Sequence, residues 1–173
     1  MTSYAVLAVP TGSLILTASD HGVTQVTLTS HRQHEAIVLA DQLHPDARYE
    51  PSLRAELQHE LQRYFQGQQV RFRTDLDLAD LTPFQQRVLC ACAEIPWGRT
   101  LTYGQLAEDV GHERAARAVG TALARNPIPI VIPCHRVVAA NGRPGGYSAE
   151  QGIALKRWLL ELEATGRPPP WVR

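Results

Sequence analysis

A cysteine and a histidine stand side by side in residues 131–138, which read VIPCHRVV. A thiol reacts as the thiolate, and an imidazole can take its proton directly or through a water molecule. Because adjacent side chains do not always meet, the water-bridged arrangement is favoured for Cys134 and His135. The pair indicates nucleophilic chemistry, and a purely structural cysteine is the alternative.

A third group could orient the histidine, and the C-terminal segment QGIALKRWLLELEA (151–164) offers two acids for that role. The spacing of its apolar residues predicts a helix. At 3.6 residues per turn, Glu161 lies opposite the apolar stripe and pairs with Arg157, whereas Glu163 lies at the edge of the stripe. Glu163 is therefore the acid predicted to be partly buried.

The elements that must hold these groups begin with a turn. The segment ARNPIPIVIPCHRVV (124–138) passes through Asn126 and three prolines before Cys134. Prolines interrupt helices and strands and fix the backbone locally. The sequence thus places the cysteine on a rigid turn at the end of an apolar segment.

Charge divides the chain into unequal halves. Residues 1–81 contain six Arg and ten Asp or Glu, a net charge of −4, whereas residues 82–173 have a net charge of +4. The second half is the one suited to phosphates. Three cysteines without a Cys-x-x-Cys pair, and an N-terminus without a basic leader or an apolar span, predict reduced thiols, no membrane segment and a cytoplasmic location.

The first half has the pattern of a small α+β domain, which we place at residues 1–81. Residues 4–30 alternate apolar with small polar side chains around turn signals at 10–12 and 20–22, which is typical of antiparallel strands. Residues 30–43 and 51–67 have helical spacing, and residues 70–78 alternate as a further strand would.

The second half, residues 82–173, is predicted to be mainly helical. Thr82 can cap a helix that takes Pro83 in its first turn. A short helix capped by Thr102, a break at Gly111 and a second helix over about 113–125 have helix-turn-helix spacing. The fold class is therefore α+β, with an N-terminal antiparallel sheet followed by a helical domain containing a winged-helix-like helix-turn-helix.

The second of these helices has one nearly flush face. The residues assigned to its buried stripe are Ala115, Val119, Ala122 and Leu123, and those on the other side are Arg114, Arg117, Gly120, Thr121 and Ala124. Small residues around one or two arginines would let the helix lie close to a DNA groove. Packing of the small face against a neighbouring helix is an equally good reading of this pattern.

Residues 132–138, IPCHRVV, resemble the active-site signature of the O6-alkylguanine-DNA alkyltransferases, also called methylated-DNA-protein-cysteine methyltransferases. The similarity continues through RAVGTALARNPIPIVIPCHRVV, NGRPGGYS and KRWLLELE, and back to TPFQQRVLCACAEIPWGRTLTYGQLA. It covers residues 82–165, whereas residues 1–81 match only in length and general character.

The resemblance implies direct reversal of DNA damage. Cys134 would accept a methyl or larger alkyl group from O6 of guanine, once per protein molecule, with no cofactor and no metal. His135 would be the base acting through water, and Glu163 would orient it. Asn126 would hold the turn, and Tyr103 would offer its hydroxyl to the departing guanine.

The resemblance also implies how double-stranded DNA is bound. Arg117 would fill the base stack after the damaged nucleotide rotates out, with the second helix in the minor groove. Arg114, Thr121 and Ala124 share that helix face. Val137, Tyr147 and Ser148 would line the guanine pocket. The protein is expected to act as a monomer that can cluster on DNA.

Two departures and three alternatives accompany the resemblance. The segment 148–155 is about two residues longer than is usual in the family. No cysteine precedes Cys90, so His31 and His34 are interpreted as surface residues rather than zinc ligands.

The alternatives are a protein that only binds alkylated DNA, a cysteine hydrolase and a helix-turn-helix regulator. The first usually replaces the cysteine with tryptophan, and the second needs an oxyanion hole.

Overall fold

The computed structural model describes residues 1–150 and 152–170. Its first half contains a four-stranded sheet of β1 (Ser3–Val9), β2 (Gly12–Ala18), β3 (Val23–Thr29) and β4 (Arg48–Tyr49), with helices α1 (Gln33–Leu43) and α2 (Ala55–Phe65). The spatial order is β3-β2-β1-β4. The three long strands pair antiparallel, as the alternation predicts, and β4 adds a two-residue parallel pairing to β1.

Both faces of this sheet are covered. Tyr4, Val6 and Ile15 point to one face, where they pack with Ala36 and Ala40 of α1. The neighbouring positions point to the opposite face and join a core that includes α2 and the second half of the chain. Successive strand residues alternate between faces, so a strand covered on both sides is buried along most of its length, as β2 is.

The second half contains α3 (Pro83–Ala93), α4 (Tyr103–Asp109), α5 (Ala116–Ala124) and α6 (Gly152–Thr165). Between α5 and α6 lie a 3-10 turn, Cys134–Arg136, and β6 (Val137–Val138), which pairs parallel with β5 (Leu101–Thr102). None of the helices in residues 1–150 and 152–170 has the length and apolar character needed to cross a membrane.

The predicted helix starts of the second half are confirmed at two positions. The Thr82 side chain accepts a hydrogen bond from the Gln85 amide at 3.3 Å, with Pro83 in the first turn. Thr102 accepts from the Gln105 amide at 3.1 Å in the same way. Both are capping boxes, in which the glutamine side chain bonds back to the cap residue.

Three local predictions need correction. The segment 70–78 is not a strand, because only Leu76 forms a single bridge, to Val23. Helix α5 begins at Ala116 rather than near 113, since residues 112–115 form the turn after α4. The sequence predicts that Cys90 and Cys92, in the helix that begins near Pro83, are small core or subsurface residues; Cys92 is buried, but Cys90 is exposed.

The larger of the two buried clusters is shared by both halves of the chain. Tyr64 and Phe65 at the end of α2 belong to the same buried cluster as the apolar residues of α3, α5 and α6. The rings of Phe65 and Trp158 lie 5.9 Å apart. The N-terminal half therefore packs directly against the helices that support Cys134.

Candidate active site

Asn126 clamps the turn that carries Cys134. Its side-chain amide donates to the Ile132 carbonyl at 2.9 Å, and its side-chain oxygen accepts from the Ile128 amide at 3.0 Å. Within the loop so closed, the buried residue Ile130 has a φ of 74°, a conformation that β-branched residues rarely adopt. Such strain persists only where the surroundings over-determine it, and the Asn126 clamp is part of what does so here.

Cys134 stands at the start of the 3-10 turn, 7% exposed, between two cavities. One, of about 420 Å³, is bounded by Tyr103, by α5 and by residues 146–148. The other, of about 260 Å³, is bounded by β3, by residues 126–129 and by residues 147–150. The thiol can therefore be reached by a small group while it stays largely shielded from solvent.

Burial raises the pKa of the Cys134 thiol, and Asn126, Lys156 and Tyr147 act more weakly in the opposite direction. The resting side chain is a neutral thiol, because the thiolate would lose its hydration in this site. A base must therefore take its proton during any reaction.

His135 is wholly buried, and its two ring nitrogens have different surroundings. Nε2 lies 2.7 Å from Oε1 of Glu163. Nδ1 has no hydrogen-bonding partner among the described residues. A carboxylate at this distance from Nε2 favours a proton on that nitrogen and leaves the Nδ1 lone pair free to act as a base.

Glu163 is 5% exposed, as the position of this residue at the edge of the apolar stripe predicts, whereas Glu161 is exposed. Besides His135, its carboxylate accepts hydrogen bonds from the Arg136 guanidinium at 2.9 Å, the Gly98 amide at 3.0 Å and the Tyr64 hydroxyl at 2.8 Å. The Arg136 guanidinium also donates to the Ile95 carbonyl. These bonds satisfy a charge that would otherwise be costly to bury.

The protonation states of this cluster follow from burial and pairing. Burial lowers the pKa of His135 below its ordinary value of 6.5, against the opposing effect of Glu163. Burial acts to raise the pKa of Glu163, but the hydrogen bonds and charges of His135 and Arg136 outweigh it and lower this pKa to about 2. At neutral pH the site therefore holds a neutral thiol, a neutral imidazole and an ionised carboxylate.

The sequence did not predict four polar groups near Cys134. Tyr64, Gly98 and Arg136 hydrogen-bond to Glu163, and Lys156 is buried beside them. Lys156 is 1% exposed and donates to the Val137 carbonyl at 2.6 Å, with its ammonium 5.8 Å from the centre of the Tyr103 ring. A buried tyrosine, arginine or lysine needs a polar partner, so the positions of these residues in apolar patterns could have indicated that they are buried and hydrogen-bonded. The sequence does not indicate which groups are their partners.

The residues assigned to the guanine pocket separate in the structure. Tyr103, Tyr147 and Ser148 line the larger cavity together with Cys134. Val137 does not line either cavity, because its side chain is buried and its carbonyl accepts from Lys156. Gly145 has a φ of +68°, and a Cβ atom there would lie 3.0 Å from the Tyr103 hydroxyl.

The outer face of α5 and the turn before it remain open to solvent. The exposed residues include Arg114, Arg117, Thr121 and Ala124. Of the predicted buried stripe, Val119, Ala122 and Leu123 are buried, but Ala115 is only half-buried because it precedes the helix. Gly120 and Ala124 of the same helix form one wall of the larger cavity. The helix-turn-helix and Cys134 therefore border the same cavity.

Comparison with protein families gives matches over both halves. The model of the 6-O-methylguanine DNA methyltransferase DNA-binding domain matches residues 83–165. The model of the ribonuclease-like domain of 6-O-methylguanine DNA methyltransferase matches residues 2–78.

Individual relatives agree along the whole chain. A methylated-DNA-protein-cysteine methyltransferase of Methanosarcina acetivorans is 37% identical over 94% of this chain and 98% of its own length. The corresponding protein of Mycobacterium bovis is 41% identical over 97% and 96% of the two chains.

Solved structures show the same similarity. Mycobacterium tuberculosis OGT in complex with DNA has a TM-score of 0.81 and 36% identity, covering 97% of this chain and 96% of its own. The O6-methylguanine-DNA methyltransferase of Pyrococcus kodakaraensis has a TM-score of 0.67 and 30% identity over 95% and 100% of the two chains. From its two family matches, its full-length relatives and the arrangement around Cys134, the chain belongs to the methylated-DNA-protein-cysteine methyltransferase family.

Proposed function

We propose that this protein repairs double-stranded DNA by moving an alkyl group, a methyl group above all, from O6 of guanine to the sulfur of Cys134. The observation that carries the proposal is the position of Cys134. The thiol faces a cavity of about 420 Å³ with α5 of the helix-turn-helix on one side, and His135, bonded to Glu163, follows it in the chain.

The transfer is a displacement at the alkyl carbon. A bond forms between this carbon and the Cys134 sulfur as the bond to O6 breaks. The thiol proton passes through a water molecule to Nδ1 of His135, and Glu163 stabilises the imidazolium. The Tyr103 hydroxyl donates a hydrogen bond to the departing guanine anion, and this partial protonation makes the base a better leaving group. The guanine anion then takes up a proton from water, and the His135 imidazolium returns its proton to water, so that both residues end in their starting protonation states.

The same proposal assigns a stoichiometry. The product is a thioether, and water does not displace the cysteine thiolate from its alkyl carbon at neutral pH. Each protein molecule therefore repairs one lesion, and the acceptor is the protein's own side chain, so no cofactor or metal takes part. Asn126 acts by holding the strained turn in place.

DNA binding is assigned to the face of α5, in the minor groove. Arg117 takes the place of the damaged nucleotide in the stack, Arg114 and Thr121 contact the backbone, and Ala124 allows close approach. Tyr147 and Ser148 contact the rotated base in the cavity. Val137, whose carbonyl accepts a hydrogen bond from Lys156, does not line this cavity and is assigned no contact with the base. The protein acts as a monomer that can cluster along DNA.

We also propose that residues 1–81 and 82–173 are the structural units of this protein, with the reaction in the second. The shared core means that the first unit supports the second rather than moving freely against it. Three free cysteines, one of which must stay reduced to react, are consistent with a cytoplasmic location.

Intact mass after incubation with a short duplex containing O6-methylguanine tests the proposal. The wild-type chain should gain one methyl group, mapped to Cys134 and saturating at one per molecule, and Cys134→Ser should gain none. Tight binding of the lesion without a mass change would favour a damage-binding protein instead. Release of methanol with continued turnover would favour a hydrolase.

A further inference from the structure

Tyr64, in the N-terminal half, reaches into the cluster behind Cys134. It lies near the end of α2 and is 0% exposed. Its hydroxyl donates to Oε1 of Glu163 at 2.8 Å and lies 3.2 Å from Nε2 of His135. It is therefore the one described residue of the first 81 that hydrogen-bonds to the proposed base and to the acid that orients it.

We propose that Tyr64 is a positioning residue for the alkyl transfer, whose hydroxyl fixes the Glu163 carboxylate and thereby the tautomer and orientation of His135. The inference rests on the proposed transfer to Cys134. It assigns the N-terminal half a part in the chemistry beyond packing.

The directions of the hydrogen bonds follow from the geometry at Oε1. Both the Tyr64 hydroxyl and Nε2 of His135 point at this oxygen, at 2.8 and 2.7 Å. An ionised carboxylate oxygen accepts but cannot donate, so both neighbours must donate to it. Nε2 then carries the proton, and Nδ1 is left as the basic nitrogen.

The two oxygens of Glu163 have different partners. Oε2 is held by Arg136 at 2.9 Å and by the Gly98 amide at 3.0 Å. Oε1 shares the guanidinium at 2.9 Å but is otherwise bonded to Tyr64 and His135. Arg136 and Gly98 therefore neutralise and anchor the carboxylate, and Tyr64 controls the oxygen that the imidazole uses.

Aromatic packing fixes the hydroxyl. The Trp97 ring meets the Tyr64 ring edge-on at 5.2 Å, and the Phe72 ring lies 5.8 Å away. Phe65 adds a further edge contact at 5.6 Å. Because the ring has little freedom to move, the oxygen is held on the Glu163 side of the imidazole.

A hydrogen-bond donor at Oε1 withdraws charge from the carboxylate that supports His135. Without Tyr64, Oε1 would carry more charge, and the imidazolium form of His135 would be favoured. The charged and titratable groups that act on this pair come from α6, α2, the 3-10 turn, α3 and the loop before α6: Glu163, Lys156, Tyr64, Cys134, Arg136, Cys92 and Tyr147. The substitution Tyr64→Phe removes only the Tyr64 hydroxyl, so the effects of the other groups on the pKa of His135 stay the same.

The test compares Tyr64→Phe with Tyr4→Phe. Tyr4 is equally buried, and its hydroxyl bonds to the Asp41 carboxylate away from the site, so it controls for loss of a buried hydroxyl-carboxylate bond. Single-turnover transfer from an O6-methylguanine duplex is followed from pH 4.5 to 9. Alkylation of Cys134 by iodoacetamide, mapped by peptide mass, is followed in parallel because it needs no DNA.

For Tyr64→Phe we expect the acid limb of both profiles to move up by roughly half a pH unit or more, with a plateau about tenfold lower. Tyr4→Phe should lose stability but keep the wild-type profile. Identical profiles for wild type and Tyr64→Phe would overturn the inference. Wild-type chain that reacts with iodoacetamide but not with the duplex would overturn the proposed function alone, and the iodoacetamide profiles would still decide the role of Tyr64.

Nitrogen-15 NMR of the His135 ring in the wild-type protein gives a second measurement that does not depend on folding of the variant. We expect the proton on Nε2 at neutral pH. A proton on Nδ1 would contradict the assigned hydrogen bonds and the inference with them.

Discussion

The buried cluster around Glu163 and the exposed face of α5 handle polar side chains in opposite ways. Glu163 accepts hydrogen bonds from His135, Arg136, Gly98 and Tyr64. By contrast, Arg114 and Arg117 are exposed. In the proposed function, the groups that act at a fixed geometry are positioned before DNA binds, and the groups that meet phosphates or the base stack are exposed.

The substitution Glu163→Gln should have the largest effect, on both the stability of the buried cluster and the transfer rate. The substitution removes the charge that pairs with buried Arg136, which should cost about 3 to 5 kcal/mol in the free energy of unfolding. It should slow alkyl transfer by roughly a hundredfold or more, because His135 loses the group that stabilises its charged form. Urea unfolding and single-turnover rates measure the two effects.

Glu161→Gln is the matched control, since Glu161 lies on the same helix but is exposed. It should leave both quantities near their wild-type values. Transfer by Glu163→Gln at the wild-type rate would show that the buried carboxylate has a structural role only.

Arg117→Ala should affect the exposed face of α5 and therefore the transfer from duplex DNA. Loss of a side chain that fills the stack should slow transfer from duplex DNA by roughly 10- to 100-fold, the equivalent of a few kcal/mol of unstacking. Transfer from the free base O6-methylguanine should not change, because no stack has to be filled. The two substrates are compared in single-turnover assays.

Arg157→Ala provides the control for the charge change, because Arg157 is exposed on α6. Equal slowing of transfer from the duplex and from the free base by Arg117→Ala would place Arg117 in the chemistry instead of in DNA binding.

Acid should weaken the buried cluster selectively. The pKa values of His135 and Glu163 are both below their ordinary values of 6.5 and 4.5, so the unfolded chain binds more protons than the folded one. The stability from His135 is therefore present above pH 6.5 and declines below it, and that from Glu163 declines from about pH 4.5 towards 2.

The transfer rate should follow His135. Since burial lowers the pKa of this base, the acid limb should have its midpoint below pH 6.5, with a fall of about tenfold per pH unit beyond it. A rate profile over pH 4.5 to 9 measures this midpoint. A midpoint above 6.5 would mean that pairing with the Glu163 carboxylate outweighs burial and favours the imidazolium.

The smallest expected effect is that of Gly145→Ala. Its positive φ costs an alanine about 1 kcal/mol, and the new methyl group would press on the Tyr103 hydroxyl. Transfer should slow only a few-fold, the equivalent of under about 1.4 kcal/mol in activation free energy. Gly142→Ala has the same backbone strain, at φ +74°, with nothing within 4 Å, so its transfer rate should stay normal.

Much of the fold follows from local pattern. The alternation in residues 4–30, with turn signals at 10–12 and 20–22, predicts the three long strands, because successive side chains of a strand point to opposite faces. Thr82 and Thr102 predict helix starts because a cap hydroxyl bonds to an amide three residues away. The segment 70–78 shows the limit, since its alternation finds no partner strand beyond the Val23–Leu76 bridge.

The candidate site divides along the same line. The sequence determined the adjacent Cys134 and His135, the turn that carries them and the burial of Glu163, since these depend on neighbours in the chain or on one helix face. Only the tertiary structure decided that Tyr64, 99 positions from Glu163, completes the cluster, and that Val137 does not line the cavity. The physical reason is that a buried polar side chain requires a hydrogen-bonding partner, which the local pattern can indicate, whereas the packing of separate elements determines which group that partner is.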